Sequence, residues 1–328
     1  MAEGLSISEL SLTLIRSLRD AARAAKRSYL AAVQRGGGFV KRSAEYAGSL
    51  VGSVLYRCQG RRPHAVGYGP YRTQFVSQHI CNTQWMDAFQ RETGLPEGYG
   101  VRLDERVVEF PWVISKLNTL TSPSRLLDAG STLNHRMIMH HPVVKRHDWT
   151  ILTLAPETEC FWSEKVSYVF DDLRSMPFRD DWFDAVFCIS VIEHVGMDNV
   201  LYTTEGRFRE DNKFDYLKAV TEMRRVLRPG GCLYLTVPFG CYEGHGWLQQ
   251  FDSSMLESTV SHFAPRSIRK TFFRYTVQGW NFASEQNCQG LRYFHLDADR
   301  FAKGQRTRHY DPDFAAAARA VACLELEK

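Results

Sequence analysis

The chain of 328 residues contains eight cysteines, yet no two form a C-x-x-C pair and none sits beside a histidine at zinc-ligand spacing. A zinc ribbon is thereby excluded and a disulfide framework argued against, so a reducing, cytoplasmic location is expected. No run approaches about 18 uninterrupted apolar residues, and no short apolar segment followed by a cleavage pattern opens the chain. Neither membrane spanning nor secretion is expected. No internal repeat is visible, which sets aside a repeat architecture.

What is present is an ordinary globular composition, 44% hydrophobic and 24% charged. This length holds one large domain, or one domain with a helical accessory segment, and its core needs neither disulfide nor metal. The net charge of +4 is unevenly spread: Met1 to Arg62 carries eleven Lys or Arg against four Asp or Glu, a balance of +7 that leaves about −3 elsewhere. A basic leading segment is either a solvated helix face or a surface for phospholipid headgroups, nucleic acid or an acidic partner.

Ser6 to Gln34 reads as a helix, with Ile15, Leu18, Ala22, Ala25 and Tyr29 on one stripe, stopped by Gly36-Gly37-Gly38. A second apolar segment, Tyr46 to Tyr56, precedes the turn-rich stretch Gly60 to Pro70. Tyr71 to Arg91 reads as one amphipathic helix, and Phe110 to Ile114 opens a short helix leading into the main domain. From Ser124, short apolar runs alternate with helical patterns, which predicts βα units on a parallel sheet. The strands are placed at Arg125–Asp128, Thr150–Leu154, Val166–Phe170, Ala185–Ser190 and Cys232–Val237, and an Ala-rich helix at Phe314–Leu326. Residues 1–110 are read as a helical segment that caps a pocket, binds the acceptor or mediates a homodimer, and 111–328 as the main domain.

Three motifs carry chemistry. In Leu126-Leu127-Asp128-Ala129-Gly130-Ser131-Thr132-Leu133-Asn134, a buried strand enters a tight turn at Gly130, where a missing Cβ lets a ligand approach the backbone. The helix start that follows offers N–H groups to a carboxylate. In Phe170-Asp171-Asp172-Leu173-Arg174, an acid at a strand's carboxyl end can accept from an exocyclic amine, or can simply cap the next turn. In Arg225-Val226-Leu227-Arg228-Pro229-Gly230-Gly231, a helix stops at a turn and the chain re-enters the sheet.

In this order and spacing, with Val191-Ile192-Glu193-His194-Val195 after strand four, the motifs resemble the class I S-adenosylmethionine-dependent methyltransferases, especially their type 11-like, small-molecule branch. The likeness covers about Leu126 to Phe239. It implies a Rossmann-like α/β fold, a seven-stranded, mostly parallel sheet flanked by helices, here with an N-terminal helical extension. It implies S-adenosyl-L-methionine as cofactor, with Asp128 orienting the first loop and Gly130 at the amino-acid end, Ser131, Thr132 and Asn134 completing that loop. Asp172 would accept from the adenine amino group, the Leu173 amide would face the ring and Ser190 would lie beside the sulfonium. Two departures stand out: Thr132 and Asn134 occupy positions where the family has glycines, and Thr153, with Glu157 four residues on, stands where a ribose-gripping acid is usual.

An alcohol acceptor needs a general base, and His194 and His245 are the candidates, with Asp198 and Glu243 as residues that polarise an imidazole or bind the acceptor. Each histidine has a plain reading too, as a hydrogen-bonded helix start and as an exposed loop residue. A Glu-His pair without third and fourth ligands argues against a metal. Aromatics mixed with amides at Trp247 to Asp252, Tyr275 and Trp280-Asn281 suit a polyhydroxylated acceptor, or form core with a polar rim. The expected activity is O-methylation of a hydroxyl on a glycan or natural product. Methylation of a carboxylate or peptide acceptor stays open, as does a scaffold that kept the fold without catalysis. Peripheral membrane contact through the basic segment also stays open. The missing Asn/Asp-Pro-Pro-aromatic motif argues against a nucleic-acid substrate.

Overall fold

The computed structural model describes residues 50–203, 205–294 and 310–328. The helix expected over Ser6–Gln34 lies outside the described residues, and of the Tyr46–Tyr56 segment the described part is helical over 50–58. All eight cysteines are free thiols. No helix among the described residues is long and apolar enough to cross a membrane.

The single helix expected over Tyr71–Arg91 is two: α1 (Tyr68–Ile80) and α2 (Thr83–Arg91). Asn82 breaks it, because its side chain accepts from the Gln84 and Trp85 amides and starts a new helix there. The apolar run around Phe110 belongs to α3 (Arg106–Leu117), whose residues from Val107 onward are all buried. Pro111 sits inside α3 and has no N–H for the Val107 carbonyl; the Tyr99 hydroxyl donates to that carbonyl instead, at 2.7 Å. The boundary placed between residues 110 and 111 therefore falls inside a helix.

The sheet begins with β1 (Arg125–Ala129), β2 (Asp148–Thr153), β3 (Ser167–Phe170) and β4 (Phe183–Ile189), close to the expected strands. Helix α4 (Tyr216–Val226) leads into β5 (Leu227–Pro238). β5 is longer than expected because Arg228-Pro229-Gly230-Gly231 is a bulge within the strand, marked by a register shift against β4. After α5 (Ser253–Phe263) come β6 (Ser267–Thr276), β7 (Gly279–Ala283) and β8 (Ala320–Glu327). Among the described residues the sheet has eight strands, in the order β3-β2-β1-β4-β5-β8-β6-β7. The β3-to-β5 half is parallel, while β8, β6 and β7 are antiparallel to their neighbours. The eighth strand, beyond the seven expected, is β7, the return arm of a hairpin from β6.

The Ala-rich helix expected at Phe314–Leu326 is a correction: its second half is β8, threaded between β5 and β6. Val321, Ala322, Cys323 and Leu324 are all fully buried there, on both faces of the sheet. Small side chains fit a strand covered from both sides, and that burial overrides alanine's helix preference. One face of the sheet packs on α3 and the helices before it through Trp112, Phe187 and Tyr234; the other packs on α4 and α5 through Val186, Met223 and Leu256.

Candidate active site

The sheet reverses its winding between β1 and β4, and a crevice of about 370 Å³ opens there at the carboxyl ends of the parallel strands. Gly130 follows β1 with φ 113°, its amide donating to the Leu152 carbonyl at 2.8 Å. A Cβ at Gly130 would lie 2.4 Å from both γ-carbons of Val191, so only glycine closes this turn against the residue after Ser190. Beneath the loop, the fully buried Asp128 accepts from the Leu133 amide at 2.9 Å. Burial pushes its carboxyl up to about 7 against the pull of that hydrogen bond.

Gly130, Thr132, Thr153, Asp172, Leu173 and Ser190, from four strand ends, line this one crevice, and Glu157 joins them beyond Thr153. Three residues expected in the first loop do not open onto it. Asp128 lies under the loop, Ser131 turns its hydroxyl into the protein, and Asn134 is spent on structure, donating to the Glu159 carbonyl at 2.9 Å and accepting from Tyr168 at 2.8 Å. Asp172 is not a bare acceptor. Arg174 grips both carboxylate oxygens, at 2.7 and 3.1 Å, and is itself anchored by Glu210 and Asp215. Burial acts to raise the Asp172 carboxyl, and the Arg174 hydrogen bonds outweigh it and hold it below its usual range.

Ser190 carries a positive φ of 47° and donates its hydroxyl to Glu109 at 2.5 Å. Thr236 donates to the same oxygen at 2.5 Å, and Arg106 pairs with the other. Glu109 is fully buried, and these three donors satisfy both of its carboxyl oxygens. Arg106 and Glu109 escaped the sequence reading; the available signal was a charged pair at i, i+3 in an otherwise apolar helix.

A second cavity of about 390 Å³ adjoins the first, and Arg106, Ser190, His194 and Tyr202 line both. His194 stands at the junction. Its Nδ1 donates to the Trp247 carbonyl at 2.8 Å, which leaves Nε2 with the lone pair, and its ring stacks on Trp247 at 5.3 Å between centroids. Burial, with the Arg106 charge adding to it, lowers the imidazole to about 4, so it is neutral near pH 7. Glu193 lines only the second cavity, 2% exposed, and burial holds its carboxyl well above the usual range.

His245 lines neither cavity: its backbone closes the turn of the short ribbon Glu243–Gly244 with Gln249–Gln250, and its ring rests on Tyr293. Glu243 is held by Arg292 at 2.8 Å and by the Tyr293 amide at 2.7 Å; Asp198 caps the Val200 amide. Of the aromatic-amide segments, only Trp247 and Leu248 reach the second cavity. Trp280 is core, bonded to the Leu103 carbonyl, and Gln249 and Gln250 are buried on backbone carbonyls. Among the described residues, no group of three His, Cys, Asp or Glu side chains is placed to hold a metal ion.

Residues 152–235 match the family model described as a methyltransferase domain, type 11. An uncharacterised protein of Methanocaldococcus jannaschii is 35% identical over 66 residues, 20% of this chain; the match spans about a fifth (21%) of that relative's length. Among solved structures, the YcgJ protein of Bacillus subtilis aligns with 14% identity and a TM-score of 0.38, over 65% of this chain and 95% of its own. The 1,6-didemethyltoxoflavin-N1-methyltransferase of Burkholderia thailandensis, solved with its substrate and S-adenosylhomocysteine, aligns with 13% identity and a TM-score of 0.39, over 79% of this chain and 87% of its own.

Proposed function

We propose, from the premise that this chain carries a class I S-adenosylmethionine-dependent methyltransferase domain of the type 11 branch, that it methylates a hydroxyl on a glycan or natural product seated in the second cavity. The observation that carries this reading is the meeting of Gly130, Asp172 and Ser190 on one crevice, with His194 where that crevice joins its neighbour.

The crevice suits S-adenosyl-L-methionine in its donor set. Gly130 and Thr132 would hold the amino-acid end, the Thr153 hydroxyl or the Glu157 carboxylate the ribose hydroxyls, and Asp172 with Leu173 the adenine. When bound, the cofactor supplies a methyl group on a sulfonium already activated for displacement. The protein's part is alignment, exclusion of water and one proton transfer. A hydroxyl acceptor must lose its proton to react, and His194 stands where that proton would go. A neutral imidazole with a free Nε2 then suffices to take it. Ser190, tied to Glu109, fixes the wall between the two cavities.

The test is to incubate the full chain with S-adenosylmethionine and a panel of hydroxylated glycans and natural products, reading methyl addition by mass spectrometry. His194→Asn is expected to lower kcat by about a hundredfold or more while S-adenosylhomocysteine still binds. Unchanged turnover in a His194→Asn, His245→Asn double variant would instead favour a carboxylate or peptide acceptor, which needs no base. No calorimetric heat with S-adenosylhomocysteine at millimolar concentration would leave the scaffold reading.

A further inference from the structure

The second cavity has a charge imbalance that the methyl-transfer reading does not use. Four carboxyl groups and two guanidinium groups lie in or against it. Asp104 is matched: Arg72 contacts it at 2.5 Å and the Tyr68 hydroxyl at 2.9 Å. Arg106 is spent on Glu109. Two carboxyls remain, Glu105 and Glu193, and among the described residues neither has a Lys or Arg partner within ion-pair distance. The nearest basic group to Glu193 is His194, 4.0 Å away and neutral near pH 7. One oxygen of each, Oε2 in both cases, is buried without a hydrogen-bond partner. Leaving such an atom unpaired costs free energy that a ligand donor would recover. Both residues line the second cavity and neither lines the first, so whatever satisfies them sits on the acceptor side.

Part of the remaining wall is aromatic. Trp247, Tyr293 and Phe294 line the same cavity, Tyr293 and Phe294 in ring contact at 5.3 Å and Trp247 backed by the His194 ring. Aromatic faces beside carboxyl groups that lack a counter-charge suit a cationic nitrogen, which the ring quadrupole attracts and whose charge would draw both carboxyls into their ionised form. A phosphorylated or carboxylated acceptor would instead oppose the ionisation of both carboxyls.

We infer that the second cavity selects a hydroxylated acceptor that also bears an ammonium group, the class of amino sugars and aromatic alkylamines, with Glu193 and Glu105 taking the cation and the hydroxyl directed to the first cavity. This rests on the methyltransferase reading for the hydroxyl's role, but the cation site itself does not depend on the cofactor.

The test uses a matched pair of probes, tyramine and tyrosol, which share a phenol and differ in ending on an ammonium or a hydroxyl. Calorimetry on the full chain without cofactor is expected to give about tenfold or greater preference for tyramine. Glu193→Gln keeps the side chain's size and removes its ability to ionise, and is expected to reduce that preference to about threefold or less, with Glu105→Gln acting in the same direction. Equal affinities, or heat from neither probe, overturn the inference on the unaltered chain, whatever the variants do. A preference that survives Glu193→Gln and Glu105→Gln together also overturns it, because then other groups hold the cation. A chain that prefers tyramine but gives no heat with S-adenosylhomocysteine would sink the methyl-transfer reading and leave the cation site standing.

Discussion

The two adjoining cavities are built in different ways. The first is assembled from the ends of β1 to β4, so its lining residues are fixed by backbone register: Gly130 follows β1, Thr153 ends β2, Asp172 lies just past β3 and Ser190 just past β4. The second is assembled from side chains on segments far apart in the chain, Tyr68 on α1, Glu105 and Arg106 at the start of α3, Glu193 after β4, Trp247 in a ribbon and Ala316 before β8. A site made by strand ends needs only the sheet to form. A site made by convergent loops and helix ends can change its lining without disturbing the sheet, which suits a constant cofactor beside a variable acceptor.

The Arg106–Glu109 pair is the ionic link between the two, since Arg106 lines both cavities and Glu109 accepts from Ser190, and the largest expected effect comes from breaking it. Glu109→Gln removes the ion-pair partner of the partly buried Arg106 and weakens the anchoring of Ser190 and Thr236, which is expected to cost about 3 kcal/mol of stability. Urea unfolding measures this. If the pair joins the cavities as described, binding of S-adenosylhomocysteine and of tyramine should weaken together. Loss of one alone would show the cavities to be independent.

A smaller effect, confined to one side, is expected of Gly130→Ala. Its methyl would meet Val191 at 2.4 Å at a φ that disfavours any side chain, a strain of about 2 to 4 kcal/mol. S-adenosylhomocysteine affinity should fall by about tenfold or more while tyramine affinity changes little, and a matching loss of tyramine binding would contradict the separation drawn here.

The same contrast sets what could be read from the residues in order. The parallel half of the sheet was legible because each of its strands is a short apolar run punctuated by turn residues, and because a ligand crevice at strand ends follows from topology. The structural part of Asn134 is not legible, because a motif position does not reveal the hydrogen bonds of its side chain, here to Glu159 and Tyr168. β8 was read as a helix from its alanines, since local propensity cannot register that the segment is inserted between β5 and β6. The second cavity is less legible: Glu105 and Arg106 lie outside any motif, and of its lining the motifs single out only Ser190, Glu193, His194 and the Trp247-Leu248 segment. His245 looked comparable to His194 along the chain, and differs only in where its loop carries it.

The smallest expected effect concerns pH, and it also separates the two cavities. Asp128, under the first, has its carboxyl pushed up by burial to about 7; Glu105, in the second, is pushed up to about 8 by burial and then by the charges of Asp104 and Glu109. Unfolded, both ionise near their ordinary values of 3.8 and 4.5, so between those values and the raised ones the unfolded chain holds fewer protons than the folded chain. Stability therefore falls as pH rises through this window, and levels off once the folded groups have ionised. Asp128→Asn keeps an acceptor for the Leu133 amide and should flatten the fall mainly below pH about 7, whereas Glu105→Gln should flatten it up to about 8. Melting temperatures across a pH series distinguish the two. Were the second cavity to take a cation, tyramine would favour the ionised Glu105, moving the upper end of the Glu105 window to lower pH and leaving the Asp128 portion where it was.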